Sequence, residues 1–264
     1  MCRRLGRRTT PFGGFVTDTP ALPRHVRSDL HLHSRFSDGR ADVETMVLTA
    51  QRIGFEIAIS DHYSVYFGMK GDETLGRYLD ALEQFPIYRA VELDLGQEQA
   101  ISEENRARLD YCVGSMHMVV DENGDRVKPD AQSPASLRRY MECATAQFAR
   151  GLRSGIPAMI GHPTYLPDLP REGQDALWTP EFRKVIVDVA VETGIALEIS
   201  TRYKTPMPEL ARELLAAGAR FAVASDGHGP EAIGAIDYPR RLIAELGIPD
   251  DRFFLPERRL PANL

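Results

Sequence analysis

Short apolar runs rich in valine and isoleucine recur along this chain, and longer amphipathic stretches separate them. The runs predict strands near 27–33, 56–61, 87–94, 110–117, 157–161, 195–200 and 220–225. Between them the period changes to that of a helix. In 42–53, Val43, Met46, Val47, Ala50 and Ile53 share one face, with Asp42 placed to cap the first turn and Gly54 to close the last. Segments 134–152, 180–193 and 208–217 have the same character, the last opening at Pro208 and closing at Gly218. Strand and helix in alternation imply a parallel sheet, and about seven such units in one domain imply that the sheet closes into an α/β barrel. Residues 26–264 are expected to form that one domain, with 1–25 as an N-terminal tail. Two connections, 118–133 and 163–180, are too long for simple turns and read as lids or excursions.

Six of the seven histidines fall at the ends of the expected strands; only His25 does not. His31 and His33 end the first strand in DLHLH, and Asp38 follows them. Residues two apart on a strand project from the same side, about 7 Å apart along the chain. His62 ends the second strand, Glu92 the third, His117 the fourth and His162 the fifth, while Asp226 and His228 end the seventh. In an α/β barrel the C-terminal strand ends surround one mouth. An isolated HxH is usually incidental, and one histidine on an apolar face is usually packing. Nine ionisable groups drawn to one end need counter-charge. Nitrogen and oxygen donors without thiolate suit zinc, manganese or iron, and their number exceeds the four ligands of a closed zinc site. Two or three divalent transition-metal ions are implied by that count.

The remaining composition narrows the partners. A formal net charge of −6 and a pI near 5.7 disfavour the broad basic footprint that a nucleic-acid backbone requires, so a small substrate is expected. No run approaches the roughly 18 apolar residues of a membrane span. The start, MCRRLGRRTTPFGGF, is arginine-rich without the apolar block of a secretory signal, and reads as a ragged tail or a mis-assigned start. Cys2, Cys112 and Cys143 form no framework, so reduced thiols and a cytoplasmic location are expected, with Cys112 as plain core.

In order, DLHLHSRFSDG, ISDH, VEL, GSMH, GHP and SDGH resemble the motifs of the polymerase and histidinol phosphatase (PHP) superfamily of metal-dependent phosphoesterases, over about 27–235. The resemblance implies a distorted (β/α)7 TIM-like barrel with a trinuclear metal site at the C-terminal ends of the strands. It implies one ion on His31, His33, Glu92 and Asp226, a second on Asp38, His62 and His228, and a third on His117 and His162, with Glu92 bridging to the first. Every position of the pattern is filled.

Such sites suit displacement at phosphorus, because clustered ions acidify water and clamp the attacking and leaving oxygens. The reading that follows is hydrolysis of a phosphomonoester by a hydroxide shared between ions, with Glu92, Asp226 and His228 in catalytic roles. Arg202 and Lys204 after the sixth strand, and Arg35 near the first, are the candidates for gripping the phosphate. Tyr63, Tyr165 and Tyr203 are candidates for the pocket lining. Chain length and the insertion after GSMH look most like the histidinol-phosphatase branch. The amine of that substrate would be served by an acidic wall, for which Asp94, Asp121 and Glu122 are available. Three alternatives remain open, the first two being a nucleotide or oligonucleotide phosphoesterase and an amidohydrolase-type hydrolase, whose barrel also begins with HxH. A lysine commonly bridges the metals in the latter, and none lies in VGSMH or MIGHP. A non-catalytic metal-binding domain is the third.

Overall fold

A computed structural model describes residues 23–257. Its strands are β1 (Ser28–Asp29), β2 (Glu56–Ile59), β3 (His62–Tyr63), β4 (Tyr88–Asp94), β5 (Tyr111–Ser115), β6 (Met159–Ile160), β7 (Ala196–Ser200) and β8 (Phe221–Ala224). All pairings are parallel, in the order β1–β2–β4–β5–β6–β7–β8, with β3 a separate short piece beside β4. Irregular backbone draws β8 to β1. Leu30 N–H donates to Val223 O (3.3 Å), Gly227 N–H to His31 O (3.3 Å) and His33 N–H to Gly227 O (2.9 Å). The buried Asp29 carboxylate pins the same seam, accepting from Ser225 N–H (2.8 Å) and Gly234 N–H (3.0 Å). The result is a nearly closed seven-stave α/β barrel of the TIM-like kind.

Helices α1 (Val43–Ile53), α2 (Asp72–Leu82), α3 (Glu103–Arg108), α4 (Pro134–Arg153), α5 (Gln174–Leu177), α6 (Pro180–Thr193), α7 (Pro208–Ala217) and α8 (Asp237–Leu246) run between or after the strands. The expected caps are present. Asp42 accepts from Thr45 N–H at 2.8 Å, and Gly54 and Gly218 close their helices at φ 73° and 88°. Helices α2, α3, α5 and α8 are additional to the segments read as helical above, α5 lying inside the 163–180 connection; α2 nonetheless shows the helical period, burying Leu75, Tyr78, Leu79 and Leu82.

Two corrections concern the strands. The first run, expected over 27–33, forms ladder only at Ser28–Asp29, because residues 30–33 bond individually to both flanks, Ser60 N–H reaching Leu32 O at 2.8 Å. His62 does not end the second strand. The ladder breaks at Ser60 and Asp61, and His62 opens β3. Neither long connection is a loose excursion. Within 118–133, Val119 and Val120 are buried and Val120 bridges Arg126. Within 163–180, buried Trp178 donates through Nε1 to Thr164 O at 2.9 Å.

The barrel interior is filled from below by side chains of the strands and their extensions and none from helices, including Ala58, Ala90, Val113, Ala196 and Ala222. One pleat further along, the period of two places carboxylates inward: Glu92 follows Ala90 on β4, and Glu198 follows Ala196 on β7. The upper floor of the barrel is therefore acidic. Cys112 is buried in the outer core and Cys143 is half-buried, whereas Cys2 lies outside the described residues, as does nearly all of the expected tail. His25 is buried and stacked on Phe253 at 3.8 Å. No helix among the described residues is long and apolar enough to cross a membrane.

Candidate metal centre

Glu92 stands at the middle of the mouth, 1% exposed, ringed by five histidines. Its Oε1 lies 3.2 Å from His31 Nε2, 3.4 Å from His117 Nε2 and 3.3 Å from His162 Nε2. Its Oε2 lies 2.7 Å from His62 Nδ1 and 3.5 Å from His33 Nε2. These contacts have ion-pair distance without hydrogen-bond alignment, so neither oxygen accepts a hydrogen bond from any described residue. His31 Nε2 and His33 Nε2 are orphaned in the same way. Buried polar atoms rarely remain so, and a cation shared by these carboxylate and imidazole atoms would satisfy both kinds.

Asp226 reaches the ring through Oδ1, 3.3 Å from His33 Nε2. Asp38 faces His62 Nε2 at 3.5 Å and His228 Nε2 at 3.1 Å. All nine ligands expected from the sequence thus meet in one cluster. Three groups of donor atoms are compact enough to hold an ion: His31, His33 and Glu92; His33, Asp38, His62 and His228; and His62, Glu92 and His117. The first two resemble two of the expected ligand sets. In the third, His62 stands where His162 was expected, although His162 faces the same Glu92 oxygen as His117. Donors of nitrogen and oxygen type, buried and orphaned, fit divalent transition metals.

The electrostatics agree. Burial works against charge on His62, yet Glu92 and Asp38 raise it to about 10. His31 also rises well above the usual imidazole range against its burial, through Glu92 and Glu198, and His117 rises through Glu92 and Asp94. His33 is the exception, pushed down to about 4 by burial. Despite burial, Glu92 is held well below the carboxylate range by His31, His62 and His117, and Asp226 falls to about 2 through His33 and His31. Protons and metal ions would compete for the same nitrogens.

Backbone conformation is specialised at the same place. His162 and Asp226 adopt φ of 29° and 56°, the left-handed region that side chains other than glycine avoid. At Gly161 a Cβ would stand 2.3 Å from Ser115 Oγ and 2.9 Å from His31 Cε1, so only glycine lets β6 approach the ligands.

Three carboxylates that hold the ligands were missed or misread in the sequence. Glu198, fully buried, accepts from His31 Nδ1 (2.9 Å) and from His162 N–H (3.1 Å) through one oxygen. Its signal was present: an acid flanked by apolar residues in LEIS, as Glu92 is in VEL. Asp61 accepts from the backbone N–H and hydroxyl of both Ser34 and Ser37, fastening the loop that carries Asp38. Asp94 is not a pocket wall; it is buried and bonded to His117 Nδ1 (3.0 Å) and to the Ser64 hydroxyl. Nor does Asp121 form a wall: it accepts from Asn123 and Asp125 N–H within its own turn, and Glu122 is exposed.

Of the proposed phosphate grips, Arg202 alone lines the cavity above the ligands, its Nη1 2.5 Å from His228 Nδ1 and 3.4 Å from Asp226 O. Arg35 is turned away, donating to Arg40 O at 3.0 Å and lining a separate groove with Phe36 and Phe85. Lys204 is exposed at φ 53° and does not line the cavity. Tyr203 does line it, Tyr165 packs behind, and Tyr63 is buried with its hydroxyl on Ala100 O.

Comparisons with known proteins bear on the fold and the family. No curated protein matches the chain. The fold is similar to that of a proposed histidinol phosphatase from Listeria monocytogenes, with TM-score 0.58 at 16% identity, covering 81% of this chain and 99% of the other. Weaker likenesses join it to a two-domain Bacteroides vulgatus protein containing a domain predicted as a PHP-like metal-dependent phosphoesterase (TM-score 0.35, 14% identity, 77% and 52% covered), and to an uncharacterised TIM-barrel protein of Bordetella bronchiseptica (0.44, 12%, 86% and 84%). At 16% identity the Listeria structure speaks for the fold alone, and nothing rests on the two weaker likenesses. The sequence pattern of the PHP domain matches residues 29–202, two thirds of the chain and all but two of the nine clustered ligands. This chain belongs to the PHP domain family, whose members are metal-dependent phosphoesterases.

Proposed function

We propose that this protein hydrolyses a small phosphomonoester in the manner of a histidinol phosphatase. The observation that carries the reading is the Glu92 carboxylate, buried, without a hydrogen bond from any described residue, and ringed by five imidazoles. Divalent ions held there by His31, His33, Asp38, His62, Glu92, His117, His162, Asp226 and His228 would acidify water and stabilise charge on the phosphoryl oxygens.

The chain's own groups set the rest. With ions bound, Glu198 and Asp94 would accept from Nδ1–H of His31 and His117, which leaves each Nε2 lone pair for the metal. Arg202 supplies a guanidinium at the rim, where it can take non-bridging phosphate oxygens in forked fashion. The cavity over the ligands holds about 170 Å³, which admits the phosphoryl end of a substrate. Among the described residues no lysine lines it, which sets it apart from sites that bridge metals by a lysine.

The test is a phosphatase screen of the purified, manganese-loaded protein against histidinol phosphate, mononucleotides, bisphosphorylated nucleotides and sugar phosphates. One selectively hydrolysed compound, inhibited by inorganic phosphate, is expected. Absence of hydrolysis together with absence of phosphate binding would contradict the reading.

A further inference from the structure

Seven of the ten side chains lining the cavity are ligands, and the other three are Phe67, Arg202 and Tyr203. Phe67 stands edge-on to His62 and His117, with centroids 4.5 and 5.0 Å away. Tyr203 stands edge-on to His162 at 4.9 Å and packs against Tyr165 at 4.1 Å. His117 stands 4.9 Å from His62 and 5.5 Å from His162, so Phe67 flanks the His62–His117 side of this row and Tyr203 stands at its His162 end.

Both rings sit on anchored turns. Gly68 follows Phe67 at φ 72°, and a Cβ there would stand 2.5 Å from His62 O. Around it Tyr66 N–H donates to Ser64 Oγ (3.0 Å) and Met69 N–H to His62 O (2.8 Å). On the other side Arg171, from the long 163–180 connection, donates through Nε to Tyr203 O at 2.7 Å.

The space between is small. The cavity of about 170 Å³ is lined by Phe67 and Tyr203 as well as by the metal-site residues, so a phosphoryl group seated on the latter brings what it carries beside the two rings. A carboxylate would be the strongest partner for an amine on the leaving group. Asp38, Glu92 and Asp226 face histidines, Asp94 is bonded to His117 and Ser64, and Asp121 serves its own turn and lies 3.6 Å from Arg139. The Arg202 guanidinium, 5.7 Å from the Tyr203 centroid, already occupies the cation's place beside that ring. A second cation would meet it with like charge.

The geometry points to Phe67 and Tyr203 as specificity-determining residues that select a phosphoester whose leaving group presents a flat ring, an amine on it contributing nothing. This inference rests on the phosphoesterase reading, and the test separates the two. Non-hydrolysable probes are titrated calorimetrically into the manganese-loaded full-length protein: inorganic phosphate, benzylphosphonate and 3-aminopropylphosphonate, each phosphonate affinity being divided by that of phosphate.

Benzylphosphonate is expected to bind about tenfold or more tightly than the aminopropyl compound, since each aromatic contact is worth about two- to tenfold. Phe67→Ala and Tyr203→Ala are each expected to cut that advantage by about two- to tenfold, and Tyr203→Phe, which keeps the ring, to preserve it. Equal or tighter binding of the aminopropyl compound overturns the inference and leaves phosphoester binding standing. So does a benzyl preference that survives both alanine variants, because the ring would then be read elsewhere. If neither phosphonate nor phosphate binds, the phosphoesterase reading fails and takes this inference with it.

Discussion

Removing the Glu198 carboxylate tests whether the metal ligands are held from behind. Its Oε2 accepts from His31 Nδ1 at 2.9 Å and from His162 N–H at 3.1 Å, and the side chain is wholly buried. In Glu198→Ala both donors lose their partner away from water, at about 1–3 kcal/mol each. The expected loss of stability is therefore about 2–6 kcal/mol. Glu198→Gln keeps an acceptor in place and loses only the charge-assisted share of two bonds, about 1–2 kcal/mol in total. Metal binding should follow the same order. An unheld His31 ring is free to turn its Nε2 from the centre, and loss of such a partner typically lowers metal affinity about 10- to 100-fold. Denaturant unfolding measures the first effect, and chelator competition with manganese the second. A Glu198→Ala protein that matches wild type in both refutes the reasoning. One that is destabilised with metal affinity intact confines Glu198 to a structural role.

Glu92→Gln should lower turnover by orders of magnitude with the fold retained, because five imidazoles share its charge; near-wild-type turnover would show that it does not join ions. Arg202→Ala should raise KM and the phosphate inhibition constant together, by about ten- to a hundredfold for a charge-assisted contact of about 1.5–3 kcal/mol. Metal content should hold, and an unaltered phosphate constant would leave the grip to the metals. His25 gives a pH effect far from the site. Burial lowers its pKa below the ordinary 6.5, against the pull of Asp250 at 3.9 Å, so the unfolded chain takes up its proton first as pH falls. Its contribution to stability is thus full above 6.5 and is lost as pH falls toward the folded pKa. His25→Phe, which keeps the stack on Phe253, should gain on wild type in unfolding free energy over that interval, and parallel curves would refute the assignment.

The cluster was legible because all but Asp38 of the expected ligands stand where an apolar run gives way to a polar residue, and the barrel sends such places to one mouth. His62 shows that the exact strand end was not needed: the ladder breaks at Ser60 and Asp61, yet the histidine still arrives at Glu92. What holds the ligands was harder to see. Asp61 looks like one more polar residue before His62, and its four bonds to Ser34 and Ser37 exist only once two loops meet. Asp94 and Asp121 were read as pocket walls because an exposed and a bonded carboxylate look alike in sequence. Arg35 lies close in sequence to two ligands, but its turn bends the guanidinium to Arg40 O. Glu198 was within reach, since in both β4 and β7 an acid follows an interior alanine by one pleat.

The central claim is that several metal ions gather about Glu92, and elemental analysis tests it most directly. Purified protein, stripped with chelator, reconstituted with manganese or zinc and freed of excess ion, should carry two or three ions per chain, and Glu92→Gln should carry fewer at equal protein concentration. At most one ion per reconstituted chain would contradict a multinuclear centre and the phosphoester chemistry built on it.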